Sequence, residues 1–126
     1  GLTVFEHDGS RPHNFHYVVV EVDEERFGLD RDALVTVLEA ENVLARRYFF
    51  PGVHRMEPYR SLQPQAGLVL HETEALSRRV MTLPTGDEVT PEICRRIVDI
   101  IASAGRCADE VRAHLDAKDE PPARSV

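Results

Sequence analysis

Residues 15–22, FHYVVVEV, constrain the fold more than any other stretch of this chain. β-Branched and aromatic side chains occupy both odd and even positions, so an extended conformation offers apolar surface to both sides. Such a strand is covered on both faces, or it lies at the centre of a sheet with helices on one side and other chain on the second. At 126 residues the chain amounts to one domain, able to bury roughly two-thirds of its unfolded surface in a single core.

The rest of the sequence supplies the cover. Gly1 to Asn14 starts with the short apolar run LTVF and continues as a polar loop. The acidic stretch DEERFG reads as a solvated loop, after which Asp30 is a good N-cap and Asp32 sits where a helix dipole favours an acid. Ala33, Leu34, Val37 and Leu38 form a stripe at helical spacing, and Asn42 marks a left-handed stop. Val43 to Phe50 then predicts a strand. In the second half, Gln63 to Gly67 reads as a loop and Glu72 to Val80 as a helix packing through Ala75, Leu76 and Val80. Met81 to Leu83 is a short extended piece ended by Pro84 and Gly86. Thr90-Pro91 opens a helix that buries Cys94, Ile97, Val98 and Ile101. Gly105 reads as a break before a last helix with Cys107, Val111 and Leu115 on one face. Residues 1–117 are expected to form the domain, and 118–126 a flexible tail. The alternation predicts an α/β fold: a small sandwich of a three- to four-stranded sheet with helices packed on one face.

Composition narrows the function classes. A formal charge of −7 argues against a nucleic-acid binder, which needs a basic face. No apolar run approaches the ~20 residues of a membrane span, and no basic-then-apolar leader is present, so a soluble, cytoplasmic protein is expected. Cys94 and Cys107 read as small core residues of a reduced protein. His13 and His16 lack the spacing of a metal pair. Lys118 is the single lysine.

The segment RRYFFPGVHRMEPYR, residues 46–60, carries the chemical signal. Aromatic rings beside guanidinium groups suit a ligand with both an apolar ring face and anionic oxygens. Strand alternation sends Arg46 and Tyr48 to one face and Arg47 and Phe49 to the other, so about half of them face a ligand, and either half fits. Phe50 and Pro51 fit a tight turn as well as a pocket wall, and His54 a structural as well as a binding role.

These motifs occur in an order that resembles the C-terminal small domain of the DegT-type sugar aminotransferases, pyridoxal-phosphate (PLP) enzymes of the aspartate-aminotransferase fold class. The resemblance runs from about Asn14 to about Ala104. It rests on NFHYVVVEVD, GLDRDALVTVLEAENV, RRYFFPGVHRMEPYR and VMTLPTG followed by the TPEI helix start. Many members of that family have histidine then tyrosine where this chain has Phe49 then Phe50, which removes a polar contact. The resemblance implies that the catalytic lysine, the acid on the pyridinium and the phosphate loop belong to a larger domain outside this chain, and that Lys118 is not the aldimine lysine. The chain alone is then not catalytic. For the intact enzyme it implies a homodimer that transfers an amino group from glutamate to a TDP-linked keto-deoxysugar, best 4-keto-6-deoxyglucose. Arg47 would lie near the diphosphate, and Tyr48, Phe49, Phe50 and His54 would face the nucleotide sugar. A stand-alone α/β effector-binding or dimerisation module is the alternative for the same fold.

Overall fold

A computed structural model describes residues 1–119. Four strands, β1 (Leu2–Val4), β2 (Val18–Val22), β3 (Arg46–Arg47) and β4 (Val80–Leu83), make one antiparallel sheet in the spatial order β1-β2-β4-β3. The helices are α1 (Glu24–Phe27), α2 (Arg31–Ala40), α3 (Tyr59–Leu62), α4 (Ala66–Val69), α5 (His71–Arg79), α6 (Pro91–Arg106) and α7 (Ala108–Asp119), with a 3-10 turn at Val53–Arg55.

The expected α/β architecture holds, with four strands. β2 is an interior strand paired on both sides, as its two-sided apolar character demands. Val22 lies opposite Leu2, Val20 opposite Met81, and Met81 opposite Arg47, so these side chains share one face of the sheet. Val20, Val22 and Met81 are buried there against Leu34 and Leu38 of α2 and Ile97 and Ala104 of α6. α7 packs on α2 and α6 at the same side. Val19 and Thr82 point to the second face, where Thr82 is buried as well.

Helix ends follow the capping signals. The Asp30 carboxylate accepts the Ala33 N–H at 2.7 Å, the Thr90 hydroxyl accepts the Ile93 N–H at 3.4 Å, and Asn42 takes φ 61° past the end of α2. The acidic DEERFG stretch is more than a loop. Asp23 caps the single turn of α1, and Gly28 closes it in a left-handed conformation at φ 93°.

Several expectations need correction. β2 starts at Val18 rather than Phe15: Phe15 adopts φ 49°, and both Phe15 and Tyr17 are exposed. The strand expected over 43–50 shrinks to Arg46–Arg47, because Phe49 turns the chain at φ 46°; strand alternation therefore says nothing about Tyr48 and Phe49. The loop expected over 63–67 ends inside α4. α5 buries no side chain, Ala75 and Leu76 included, and Val80 opens β4. In α6 the inward stripe is Ile97, Ile100, Ile101 and Ala104, while Cys94 and Val98 are exposed. Both stripes obey the helical period and share Ile97 and Ile101; the core takes the one that continues through Ile100 and Ala104. Cys107 is exposed too, so neither cysteine is a core residue; both are free thiols.

Gly105 does not break the chain. It lies within α6, where an added Cβ would come within 3.0 Å of the Phe27 ring, so the glycine permits close packing of α6 on α1. The last helix extends through Lys118 to Asp119, which removes the first residues of the expected tail; residues 120–126 lie outside the described residues.

Candidate functional site

The aromatic-basic segment is held by two polar clusters. The first centres on Arg31, in the first turn of α2, where the helix dipole disfavours a cation. Its side chain is only 1% exposed. Nη1 donates to the carbonyl oxygens of Ser77 at 2.9 Å and Val80 at 2.7 Å, and Nε donates to Asp32 Oδ1 at 2.8 Å. The guanidinium carbon lies 5.1 Å from the centre of the Phe50 ring, within cation–π reach. One side chain thus ties α2 to the α5–β4 junction and supports Phe50. Arg31 Nη2 is buried with no partner among the described residues.

Asp32 Oδ1 also accepts from Arg47 Nε at 2.5 Å. Burial pushes the Asp32 carboxyl up, but the hydrogen bonds and charges of Arg47 and Arg31 outweigh it and carry the group below the usual range. The hydrogen bond to Asp32 raises the Arg47 guanidinium in turn.

The second cluster centres on Glu74 of α5. Arg55 donates to it through Nε at 2.5 Å and Nη2 at 2.7 Å, a bidentate grip, and His54 Nε2 lies 2.5 Å from Oε1. Arg78 stands at 3.6 Å on the next turn. The hydrogen bonds from Arg55 and then His54 hold the Glu74 carboxyl down to about 2. His54 and Glu74 are 10% and 13% exposed, so this contact is well shielded from solvent.

Between the turn at 48–54 and α5 lies an apolar groove of about 570 Å³. Tyr48, Phe49, Val53, Leu70, Leu76 and Val80 form its apolar walls, and His54 reaches it beside Gly52. Tyr48 packs on Phe49 at 4.4 Å between ring centres and on Tyr17 at 5.3 Å, giving a row of three rings. Ring faces of this kind stack on the apolar side of a sugar or a base.

Of the five residues singled out in the sequence, Tyr48, Phe49 and His54 come together at this groove. Phe50 is set apart beneath Arg31. Arg47 lies below α2, where it lines a separate cavity of about 530 Å³ with Asp30, Asp32, Arg112 and Lys118. Lys118 was expected in a tail without surroundings; it stands instead on α7 at that cavity. Four carboxylates, Glu24, Asp30, Asp32 and Asp116, line the same space beside the cations Arg47, Arg112 and Lys118.

Sequence reasoning missed Arg31 and Glu74 and gave Asp32 only a favourable place in the helix dipole. An arginine in the first turn of an otherwise well-capped helix was a usable signal, since its placement needs a reason other than the helix. Glu74 carried none, because its hydrogen-bonding partners, His54 and Arg55, lie about twenty residues away.

Among known proteins, a family model described as the DegT/DnrJ/EryC1/StrS aminotransferase family matches residues 2–102. A dTDP-4-amino-4,6-dideoxy-D-glucose transaminase of Escherichia coli is 27% identical over 101 residues, covering 80% of this chain and 27% of that protein. The transaminase of the same description from Shigella dysenteriae is 28% identical over 101 residues with the same coverage. The crystal structure of DesI in the presence of its TDP-sugar product superposes with a TM-score of 0.75 at 40% identity, covering 95% of this chain and 29% of that one. The chain spans less than a third of the length of each of these proteins.

Proposed function

The chain belongs to the DegT/DnrJ/EryC1/StrS aminotransferase family, and on that premise we propose that it is the C-terminal small domain of a transaminase acting on a TDP-linked keto-deoxysugar. Glutamate is the amino donor, TDP-4-keto-6-deoxyglucose the preferred acceptor, and amino-sugar biosynthesis the setting. The observation that carries the reading is the 40% identity, over 95% of this chain, to a protein crystallised with its TDP-sugar product. The two bacterial dTDP-4-amino-4,6-dideoxy-D-glucose transaminases support the choice of a 4-amino-4,6-dideoxy sugar.

Family members generally depend on PLP, which supplies the carbonyl carbon that carries nitrogen from donor to acceptor. In our reading the rest of the enzyme holds that cofactor, within a cytoplasmic homodimer. No helix among the described residues is long and apolar enough to cross a membrane. The work of this domain is to bind and to exclude water. Tyr48 and Phe49 stack on the ligand, and His54 hydrogen-bonds a hydroxyl. Phe50 backs that wall from its place at Arg31, and Arg47, at the neighbouring cavity, takes an oxygen of the diphosphate, which extends beyond the groove. To do so Arg47 exchanges Asp32 for phosphate, and Asp32 keeps Arg31 as its partner.

The full-length enzyme tests this directly. Incubated with glutamate and TDP-4-keto-6-deoxyglucose, it should yield a TDP-4-amino-4,6-dideoxyhexose by mass spectrometry; turnover only of a 3-keto isomer would reassign the carbon, and no turnover of either would end the reading. Arg47→Ala should raise the KM for the sugar roughly tenfold or more while sparing the half-reaction with glutamate, which has no diphosphate. Arg46→Ala, on the opposite face of β3, is the control.

A further inference from the structure

His54 is anchored on one side only. Its Nε2 meets Glu74 Oε1, and no described residue hydrogen-bonds its Nδ1. The Nδ1–Cε1 edge of the ring lies against Gly52: a Cβ built on that glycine would come within 2.7 Å of Cε1 and 2.9 Å of Nδ1. Any other residue at 52 would therefore displace the imidazole or cover the nitrogen. Gly52, Val53 and His54 all line the apolar groove, so this edge belongs to the ligand side.

Glu74 is built to accept and not to donate. Arg55 grips both of its oxygens and Arg78 approaches Oε2. A carboxylate so placed can meet His54 only through an Nε2–H. In a neutral imidazole that proton leaves Nδ1 with a free lone pair. The other charged groups around the ring are Glu72, which lines the groove, and Arg60 of α3, which lines the opposite side of His54. Neither has a hydrogen bond to the ring, which leaves Glu74 to set its orientation.

We propose that Glu74 is a positioning residue for sugar recognition: by accepting the Nε2–H of His54 it turns the Nδ1 lone pair toward the groove beside Gly52, where it accepts a hydrogen bond from a hydroxyl of the sugar. The proposal rests on the reading of the groove as the nucleotide-sugar site. It assigns to that site a residue on α5 that touches no ligand.

Four variants of the full-length enzyme test it: Glu74→Ala, Glu74→Gln, His54→Gln and the double variant Glu74→Ala/His54→Gln. His54→Gln keeps a polar group near the Nε2 position and has none at Nδ1. The sugar and glutamate half-reactions are measured separately, with melting temperature alongside. Glu74→Ala and His54→Gln should each raise the sugar KM roughly tenfold and leave the glutamate half-reaction within about twofold. The double variant should be no worse than either single one, because both act through the same contact. Glu74→Gln should fall between wild type and Glu74→Ala, since an amide oxygen still accepts the Nε2–H.

If His54→Gln raises the sugar KM and neither Glu74 variant does, His54 binds without help and the proposal is overturned while the site reading stands. If no variant moves the sugar KM, the groove reading fails and the proposal with it. If the Glu74 variants depress both half-reactions in step with melting temperature, Glu74 is structural only, which also overturns the proposal.

Discussion

Residues 18–47 and 80–111 build their stability in a different way from residues 48–79. In the first region Val20, Val22, Leu34, Leu38, Met81, Ile97 and Ala104 interlock in a core that excludes water from both sheet and helices. In the second, Gly52 and Ala66 are the buried residues, while Leu62, Leu68 and Val69 are each about 70% exposed. The second region is held by directed polar bonds, from Arg31 at one end and onto Glu74 in the middle. Hydrophobic packing tolerates small shifts of a side chain; hydrogen bonds at 2.5–2.9 Å fix a particular geometry. The lesson is a division of labour, in which an apolar core supplies stability and a polar framework positions a groove that the core does not reach.

Three measurements would break or sharpen that contrast. The largest effect is expected in the core. Leu38→Ala removes a fully buried side chain from α2 and should cost roughly 3–5 kcal/mol in urea unfolding. The wild-type chain should melt in one cooperative transition by circular dichroism. A loss under about 1 kcal/mol would mean that the core is not the source of stability. Next comes Arg31→Met, similar in length but without the guanidinium. It strands the buried Val80 carbonyl and releases the α5–β4 junction and Phe50, at roughly 2–3 kcal/mol by the same assay. An unchanged or raised stability would show that an apolar side chain serves as well there.

The smallest effect is a pH dependence. The Glu74 carboxyl sits at about 2 in the folded chain against an ordinary 4.5, so its contribution is complete above about 4.5 and is lost as pH falls toward 2. The stability difference between wild type and Glu74→Gln should therefore be constant above pH 5 and shrink on acidification, with the other carboxylates cancelling in the comparison. A difference that stays flat down to pH 2 would remove Glu74 from the framework.

Legibility in the sequence divides along the same line. β2, the α2 stripe and the caps at Asp30, Asn42 and Thr90 were readable because each depends on residues within a few positions of one another. The family itself was readable through RRYFFPGVHRMEPYR and the motifs around it, and the match over residues 2–102 bears that out. The strand expected through Phe50 failed because aromatic residues look like a strand until one of them, Phe49, adopts a left-handed backbone. Gly105 looked like a break, since close packing against Phe27, 78 positions earlier, leaves no local trace. The same limit hid Glu74 and the reach of Arg31 to Val80, contacts that link positions 20 and 49 apart. Tyr48, Phe49 and His54 lie together at one groove, whereas Arg47 and Phe50, their neighbours in sequence, lie apart from it.

The sheet ends at β3, a strand of two residues, both exposed arginines. An open sheet edge invites a strand from another molecule to add on, which is how many β-rich domains begin to aggregate. Here an incoming strand finds only two backbone positions to pair with and has to lie beside Arg46 and Arg47. The opposite edge, β1, is only three residues long. Kept at high concentration, the domain should resist growth by strand addition at either side, and β3 is short because the chain leaves the sheet there to form the aromatic turn.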